Sequence, residues 1–539
     1  MKKYLLVLVS LCCVLSAAFA ENPDYPELKK SDANIIGHVL DKKTKEHLPY
    51  ITVALKGTTI GTVTDATGHY FLKNLPEGSF VLEVSSVGYK TLTRNVTLKR
   101  GKTLEEDFEI EEDAIALDGV VVSANRSETT RRLAPTLVNV VDLKLFETTN
   151  SSTLSQGLNF QPGVRVETNC QNCGFQQVRI NGLDGPYTQI LIDSRPVFSA
   201  LSGVYGLEQI PASMIERVEV MRGGGSALFG SSAIAGTINI ITKEPLRNSG
   251  QLSHTITSVG GSSSFDNNTS LNASLVTDDH RAGLYIFGQN RHRSGYDYDG
   301  DGFTELPELK NQTVGFRSYL KTSTYSKLTF EYHHMQEFRR GGDMLDRPPH
   351  EAHIAEQLQH SIDGGSLKYD YFSPNEKNRL SIFASAANTD RDSYYGPGND
   401  PLKAYGKTTD LIAMGGAQYV HTFDKCLFMP SDLTAGLEYN RDRLKDNMWG
   451  YDRHTDQTVN IYSAFLQNEW KNERWSILVG GRLDKHNMVD NIIFSPRANL
   501  RFNPTQNINL RLSYSSGFRA PQAFDEDMHC LLYTSPSPR

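Results

Sequence analysis

Short runs of alternating hydrophobic and polar residues dominate the chain, and a period of two is typical of half-buried β-strands. In the first part of the chain these runs are separated by turns rich in Gly, Pro and Asp. Four of them are 35–39, 51–55, 69–72 and 80–84. Short strands at this spacing predict a small β-sandwich over residues 33–112.

A second group of β segments, punctuated by glycine, lies between Val164 and Pro245. The hydrophobic residues that alternate with polar neighbours there are Val178, Ile180, Ile190, Ile192, Val218 and Val220. Gly223, Gly224 and Gly225 follow Arg222, where we expect the chain to turn without the steric cost of a Cβ atom.

From about Gly250 onward the alternating runs become longer. Their apolar members include Leu328, Phe330, Tyr332, Leu433, Ala435, Leu437, Tyr439, Ile508, Leu510, Leu512 and Tyr514. This pattern is typical of transmembrane β-strands, which are apolar toward lipid and polar toward the lumen. We expect short turns such as 373–377 and 503–507 to face the periplasm and longer polar stretches to face outside. Residues 250–529 have room for about twelve to fourteen strands.

The N-terminus predicts export. Residues 1–20 combine two early lysines, an apolar run and Ala18-Phe19-Ala20, which together indicate a cleavable signal peptide. No later stretch has eighteen apolar residues in a row, so a membrane position for the mature chain would require a β-barrel. A net charge of -7 and a pI near 6.1 give no basic patch for nucleic acid.

The segments 177–184, 190–193, 215–223 and 236–242 resemble, in order, the plug domain of TonB-dependent outer-membrane receptors. The resemblance implies a mostly β protein: an N-terminal β-sandwich, an α+β plug at 132–246 and an antiparallel transmembrane β-barrel over 250–529. Full-length barrels of this kind have about twenty-two strands, so we expect the barrel to be incomplete. The tail 530–539 lacks strand alternation and resembles sequencing adaptor, so we suspect that it is not native.

Two further resemblances concern the region before the plug. Asp65 to Leu72, with Val87-Gly88-Tyr89, resembles the carboxypeptidase-regulatory-like module, which in such receptors sits in the periplasm. Within the linker 113–131, one β-prone run resembles the TonB box, the segment that a TonB-type energy-transducing protein binds by strand addition. Its residues are Asp118, Gly119, Val120, Val121, Val122, Ser123 and Ala124. A last sandwich strand or a plain linker is the alternative.

The resemblance also implies a function: import of a scarce, bulky nutrient across the outer membrane of a Gram-negative bacterium. A ferric siderophore is our first choice, with cobalamin or haem as alternatives. Outer-membrane lipid and a surface lipoprotein are further expected partners. The plug apical residues expected to touch the ligand are Thr168, Asn169, Gln171, Asn172, Phe198, Ser199 and Tyr205. A rival class is a non-transporting outer-surface binding or adhesion protein.

An acidic motif outside the plug predicts a calcium loop. Asp297, Asp299, Asp301, Glu305 and Glu308 take positions 1, 3, 5, 9 and 12 of an EF-hand pattern, and the Phe303 carbonyl takes position 7. Hard cations prefer such oxygen ligands. Strand-like flanks and Pro307 argue for a calcium-ordered barrel loop rather than a helix-loop-helix; a solvated acidic loop is the alternative.

Cysteines and histidines offer less specific signals. Cys170 and Cys173 lie in an exported protein, which favours a short disulfide over a two-thiol metal contact.

His334 and His353 each begin a His-x-x-Glu pair, as in a zinc peptidase. Side chains along a β-strand alternate between its two faces, however, so His334 and Glu337, three positions apart, lie on opposite faces. His350, His353 and His360 are expected in a polar loop. With no nucleophile elbow, Walker loop or dinucleotide fingerprint in credible context, we predict no enzyme and no catalytic cofactor.

Overall fold

The computed structural model describes residues 30–519, apart from 66, 87–88, 113–119, 127–128, 171–173, 197–209, 232, 278, 398–403 and 506–507. Within this part the chain is mostly β, as predicted, and its strands form an N-terminal sandwich, a plug and a large antiparallel sheet. Short 3-10 turns occur at Gly185–Tyr187, Ala212–Met214, Val259–Gly261, Pro349–Glu351 and Trp449–Tyr451. Among the described residues, no helix is long and apolar enough to cross a membrane.

The N-terminal region is a sandwich of two four-stranded sheets. Its strands are β1 (Lys30–Asp41), β2 (Thr52–Leu55), β3 (Gly61–Val63), β4 (His69–Pro76), β5 (Gly78–Ser85), β6 (Leu92–Leu98), β7 (Thr103–Glu105) and β8 (Phe108–Ile110). One sheet has the order β3-β2-β5-β6, and in the other β1 pairs with β4, β7 and β8. Alternate side chains such as Ile35, Leu55, Leu82 and Phe108 fill the space between the sheets, which confirms the predicted sandwich.

The plug is built on a four-stranded sheet with helices and a hairpin around it. A two-stranded hairpin of β9 (Val120–Val121) and β10 (Thr129–Thr130) precedes it. The plug elements are β11 (Val138–Asp142), α1 (Leu143–Thr148), α2 (Leu154–Leu158), β12 (Val164–Cys170), β13 (Phe175–Ile180), β14 (Thr188–Ile192), β15 (Ile215–Arg222), α3 (Ser226–Phe229) and β16 (Gly236–Thr242). The sheet order is β11-β15-β16-β14, and β12 pairs with β13 alone.

The hydrophobic positions predicted for the plug are buried. Ile180, Val218 and Val220 are fully buried in one cluster, to which the barrel wall contributes Tyr285 and Phe287. Plug and wall therefore share a core. Gly223 has φ +84°, which only glycine adopts without strain, so the expected turn after β15 is confirmed.

Thirteen strands form one antiparallel sheet after the plug. They are β17 (Ser249–Ser258), β18 (Phe265–Val276), β19 (Ala282–Arg293), β20 (Glu308–Ser323), β21 (Ser326–Gly342), β22 (Ile354–Phe372), β23 (Asn378–Pro397), β24 (Tyr405–Cys426), β25 (Met429–Met448), β26 (Arg453–Lys471), β27 (Trp475–His486), β28 (Ile493–Thr505) and β29 (Ile508–Ser515). The number agrees with the expected twelve to fourteen. Leu437 is 66% exposed on the outer face while its neighbour Glu438 is 6% exposed toward the plug, as the alternation predicted.

The two ends of this sheet differ. Short turns such as 324–325 and 373–377 join strands at one end, and longer loops such as 294–307 and 343–353 join them at the other. The sandwich touches the short-turn end, where the Thr59 amide donates to the Thr324 carbonyl at 3.0 Å. The plug hairpin β12-β13 points toward the long-loop end, because its Gly174 lies against Pro307 and Arg339.

Candidate functional site

The segment Val121–Arg126, called the bridging segment below, lies between the plug and the barrel wall. Val121 and Ala124 are fully buried in a cluster with plug residues that include Met221 and Leu228. Of the predicted TonB box, Asp118 and Gly119 lie outside the described residues, and so does the side chain of Val120. Val121 to Ala124 are folded into the interior here, so strand pairing with a partner would require them to leave this position.

Glu219 of β15 holds the bridging segment from the plug side. Its fully buried carboxylate accepts hydrogen bonds from the Val122 amide at 2.9 Å, the Ser123 amide at 2.8 Å and the Ser123 hydroxyl at 2.7 Å. Its other oxygen accepts from the Arg217 guanidinium at 3.0 Å. Hydrogen bonds to an ionised acceptor are about twice as strong as neutral ones, so this carboxylate is the main plug contact of the segment.

The barrel wall holds the same segment from the other side. Arg497 donates to the Ala124 carbonyl at 2.7 Å, and the Asn125 amide group donates to Glu469 at 2.9 Å. Arg126 forms a buried ion pair with Glu438. Its guanidinium carbon also lies 4.9 Å from the Phe229 ring centre and 5.1 Å from that of Phe465. Six residues thus join the plug sheet to three strands of the wall, β25, β26 and β28.

The apical hairpin of the plug meets the wall near the long loops. Arg339, buried and paired with Glu337 at 2.9 Å, donates to the Gly174 carbonyl at 3.3 Å. Of the predicted ligand residues, Thr168 lies in this hairpin opposite Gln176. Asn169 is described in its backbone only, and Gln171, Asn172, Phe198, Ser199 and Tyr205 lie outside the described residues.

The disulfide proposed for the same hairpin is not part of the described structure. Cys173 lies outside the described residues, as does the side chain of Cys170, so their pairing stays a prediction.

The acidic loop between β19 and β20 brings four predicted ligands together. Asp297, Asp299, Asp301 and Glu305 each place a carboxylate oxygen within 4.8 Å of the others. Backbone amides orient these groups: Gly300 and Gly302 donate to Asp297 at 2.7 and 2.9 Å. Four converging carboxylates form a donor set that suits Ca²⁺.

Glu308 is not brought into the acidic loop. It begins β20, and its carboxylate lies 2.7 Å from the Lys310 ammonium group. A residue in a strand continues the sheet pairing rather than curling back over the loop, as position 12 does in a helical EF-hand. The Phe303 amide donates to Asp301 at 2.8 Å, so this residue helps to order the loop.

A cavity lies between the plug sheet and strands β19 to β24, nearer to the short turns. Arg317 of β20 contacts both Asp193 of the plug and Glu331 of β21. Burial opposes ionisation of Asp193, but Arg317 and a 2.6 Å hydrogen bond from the Thr242 hydroxyl outweigh it and lower the pKa of the carboxyl group. This ion cluster is a second polar connection between plug and wall.

The predicted separation of His334 and Glu337 agrees with the structure. His334 lies 2.9 Å from Asp363, whereas Glu337 is buried against Arg339. The loop expected for His360 is wrong, because this residue lies within β22 and is 2% exposed. Its ring faces the plug side of the wall, 3.4 Å from Glu337. Strand β22 is longer than its alternation suggested, since inward polar residues obscure the apolar pattern.

Comparison with known families agrees with this architecture. Residues 237–528 match the model "TonB dependent receptor-like, beta-barrel". The chain belongs to the TonB-dependent receptors. Residues 130–237 match the "TonB-dependent Receptor Plug Domain", and 35–122 match the "CarboxypepD_reg-like domain". The barrel fold of this family implies the bacterial outer membrane.

Individual relatives include transporters and receptors. This TonB-dependent receptor is 25% identical to the vitamin B12 transporter BtuB of Vibrio vulnificus over 76% of its own chain and 64% of the relative. The siderophore receptor PirA of Acinetobacter baumannii has the same fold, with a TM-score of 0.63 and 19% identity over 72% of this chain and 62% of that one. For a mutant ferric enterobactin receptor PfeA of Pseudomonas aeruginosa, the TM-score is 0.61 and the identity is 18%, over 75% of this chain and 64% of that one. These relatives are named as transporters and receptors, and the family to which the chain belongs is one of receptors, which agrees with the prediction that it is not an enzyme.

The chain spans less than two thirds of the length of these relatives.

The contacts between the bridging segment and the plug were not predicted from the sequence. One signal was available: Glu219 stands between Val218 and Val220 in a strand whose two faces are both buried. A carboxylate in such a place requires a partner, because a buried unpaired charge is very costly.

Proposed function

We propose that this receptor imports a scarce, bulky nutrient across the outer membrane in an energy-coupled step driven by a TonB-type protein. The observation that carries the proposal is the bridging segment, which contacts both the plug sheet and the barrel wall. Its residues Val121 to Ala124 belong to the predicted TonB box. The short-turn end, against which the sandwich lies, is the periplasmic end in this proposal.

The arrangement supports a pulling mechanism. Glu219 lies on β15, which is paired on both sides within the plug sheet. A force on the bridging segment would therefore act first on the hydrogen bonds to Glu219 and on the ion pair of Arg126. Rearrangement of a plug element then opens a path along the wall, a transition between packed states rather than a chemical reaction.

Two ligand classes compete in this proposal. A ferric siderophore is the choice from sequence, and the solved relatives that share the fold are siderophore receptors by name. Cobalamin is favoured by the curated sequence relatives, which are named vitamin B12 transporters. Haem stays a third alternative. Binding of radiolabelled cyanocobalamin, ferric enterobactin and haemin to cells expressing the receptor would rank the three.

The coupling role is tested by Val121→Pro, with Val121→Ala as the matched control. Proline removes the amide and restricts the backbone, whereas alanine only shortens the side chain. We expect proline to abolish energy-dependent uptake of whichever ligand binds, with surface binding retained, and alanine to transport it. Equal uptake by both variants would contradict the coupling role.

A receptor that only binds at the surface is the rival function. Dissipating the inner-membrane proton gradient would stop uptake by a transporter and leave surface binding unchanged. If accumulation of the bound ligand is the same with and without the gradient, the receptor is a surface binding or adhesion protein. A surface lipoprotein partner would be recovered by crosslinking at the long-loop end.

We also propose that the acidic loop binds a structural calcium ion through Asp297, Asp299, Asp301 and Glu305. Support comes from the convergence of the four carboxylates and from the two glycines at positive φ, Gly300 and Gly302, which let the loop turn sharply. Calorimetric titration of the purified receptor with CaCl2 should show one saturable site, and its absence would remove calcium from the description of the loop.

A further inference from the structure

Three histidines of the sandwich form a cluster that the transport function does not use. The ring centres of His38 and His47 are 5.1 Å apart, those of His38 and His69 are 5.7 Å apart, and those of His47 and His69 are 5.0 Å apart. His47 and His69 are exposed and His38 is 29% exposed, so the cluster is open to solvent. Imidazole is a favoured ligand of late first-row metal ions.

Backbone pairing brings the three residues together. His38 of β1 and His69 of β4 are direct partners in the antiparallel pair, which places their side chains on the same face. His47 lies on the next stretch of chain, where an isolated bridge joins it to Leu40. A Cβ on Gly68 would lie 2.8 Å from the Cβ of His47, so glycine allows this close approach. The positions of all three Cα atoms are therefore set by the sheet.

Two of the rings are already oriented by polar contacts at Nδ1. The Nδ1 atom of His38 lies 3.0 Å from the Asp107 carboxylate, and that of His69 lies 3.0 Å from the Thr67 hydroxyl. The Thr67 hydroxyl donates its single proton to Asp65 at 2.7 Å. It must then accept from His69, so the proton sits on Nδ1 and the Nε2 lone pair is available.

Asp65 is placed to accept the Thr67 proton. Its carboxylate oxygen also accepts hydrogen bonds from the Thr67 amide at 2.8 Å and the His69 amide at 3.0 Å. A carboxylate oxygen held by several donors in this way serves as an acceptor. Metal-binding histidines are commonly held in this way, with Nδ1 on a carboxylate or another acceptor and Nε2 on the ion.

The spacing of the rings fits a shared ion. A tetrahedral zinc ion about 2.1 Å from one nitrogen of each ring would place the ring centres about 5 Å apart. The histidine nitrogens do not all come within 4.8 Å of one another in the described structure, unlike the oxygens of the acidic loop. Binding therefore requires a turn of the exposed His47 side chain, whose ring is free of the Nδ1 contacts that hold the other two.

We propose that His38, His47 and His69 bind one late first-row divalent ion, Zn²⁺ in the first instance, with water in the fourth position. The ion would crosslink β1, β4 and the chain around residue 47 at one edge of the sandwich. This site differs from the acidic loop in its donors, since imidazole nitrogen suits zinc and carboxylate oxygen suits calcium. The two sites should therefore be selective for different ions.

The test is a calorimetric titration of the purified, untagged, EDTA-stripped receptor with ZnCl2 in the presence of excess calcium. We expect one zinc ion per chain and a zinc-dependent rise in the melting temperature of the sandwich, because the ion binds the folded state. His38→Gln, His47→Gln and His69→Gln should each abolish that binding. His254→Gln, a change at an exposed histidine on β17, is the matched control and should leave it intact.

A second variant separates positioning from folding. Thr67→Ala removes the acceptor for Nδ1 of His69 without removing a ligand, and loss of such a contact weakens metal affinity about 10- to 100-fold. The melting temperature in EDTA should not change. The proposal is overturned if the intact receptor shows no zinc-dependent heat, or if all three histidine variants bind zinc as the unchanged receptor does.

Discussion

The acidic loop and the bridging segment are both short polar motifs, but they obtain their structure in opposite ways. The hydrogen bonds that orient the carboxylates of the acidic loop join residues within seven positions of one another. The contacts of the bridging segment join Ser123 to Glu219, 96 positions away, and Ala124 to Arg497, 373 positions away. A local motif carries its shape in its own sequence, whereas the bridging segment has this conformation only where plug and wall already face each other.

The difference bears on function. A loop with local contacts should order around its ion whatever the state of the plug. A segment held by a few distant contacts can be released as a unit when those contacts break, and the freed backbone groups are then available to another strand. The first arrangement suits a permanent structural site and the second suits a switch.

The largest effect is expected from Glu219→Leu. The change leaves the Val122 and Ser123 amides without their acceptor. This should reduce the free energy that holds the bridging segment against the plug by about 3 kcal/mol. Labelling of Ala124→Cys by a maleimide, in a receptor with its other cysteines changed to serine, should become at least tenfold faster. Glu147→Gln, at an exposed carboxylate of α1, is the control. Equal labelling rates would mean that Glu219 does not hold the segment.

A smaller effect is expected from Asp297→Asn in the acidic loop. At a calcium concentration about ten times the dissociation constant, binding should stabilise the unchanged receptor by about 1.4 kcal/mol. The variant should lose this calcium-dependent rise in melting temperature. Glu308→Gln should keep it, because that carboxylate pairs with Lys310 instead. A peptide spanning 290–312 should bind calcium too if the loop is as local as its hydrogen bonds indicate.

The smallest effect concerns the junction between plug and barrel. Burial opposes ionisation of Glu244, but the Lys327 ammonium group 2.6 Å away lowers the pKa of this carboxyl group to about 2. Because the folded pKa is below the unfolded one, the pair stabilises the protein above about pH 4.5 and loses this effect as pH falls toward 2. We expect at most about 1 kcal/mol.

Melting temperatures at two pH values test this pair. Glu244→Gln should melt below the unchanged receptor at pH 6, and the difference should shrink at pH 3. Glu147→Gln, at an exposed carboxylate of α1, should show no such pH-dependent difference. A gap that is equally wide at both pH values would show that the Glu244 charge does not stabilise the junction.

The parts that could be predicted are those whose signal is local. The strands of the sandwich and barrel follow from alternation, as at Leu437 and Glu438, because side chains of a strand point to opposite faces. The four converging carboxylates of the acidic loop follow from spacing within nine residues. Glu308 did not join them because sheet pairing of β20 determines its direction, and His360 proved to lie in a strand because inward polar residues disguised the alternation.

By itself, the sequence determined the β-rich architecture, the order of sandwich, plug and barrel strands, and the acidic loop, since periodicity and short-range spacing are properties of neighbouring residues. Only the tertiary structure decided that Glu219 and Glu438 hold the bridging segment and that His38, His47 and His69 share one edge of the sandwich. These groups are distant along the chain, and their distances follow from strand pairing and from the placement of the plug against the wall. No local sequence pattern encodes the strand pairing or the placement of the plug against the wall.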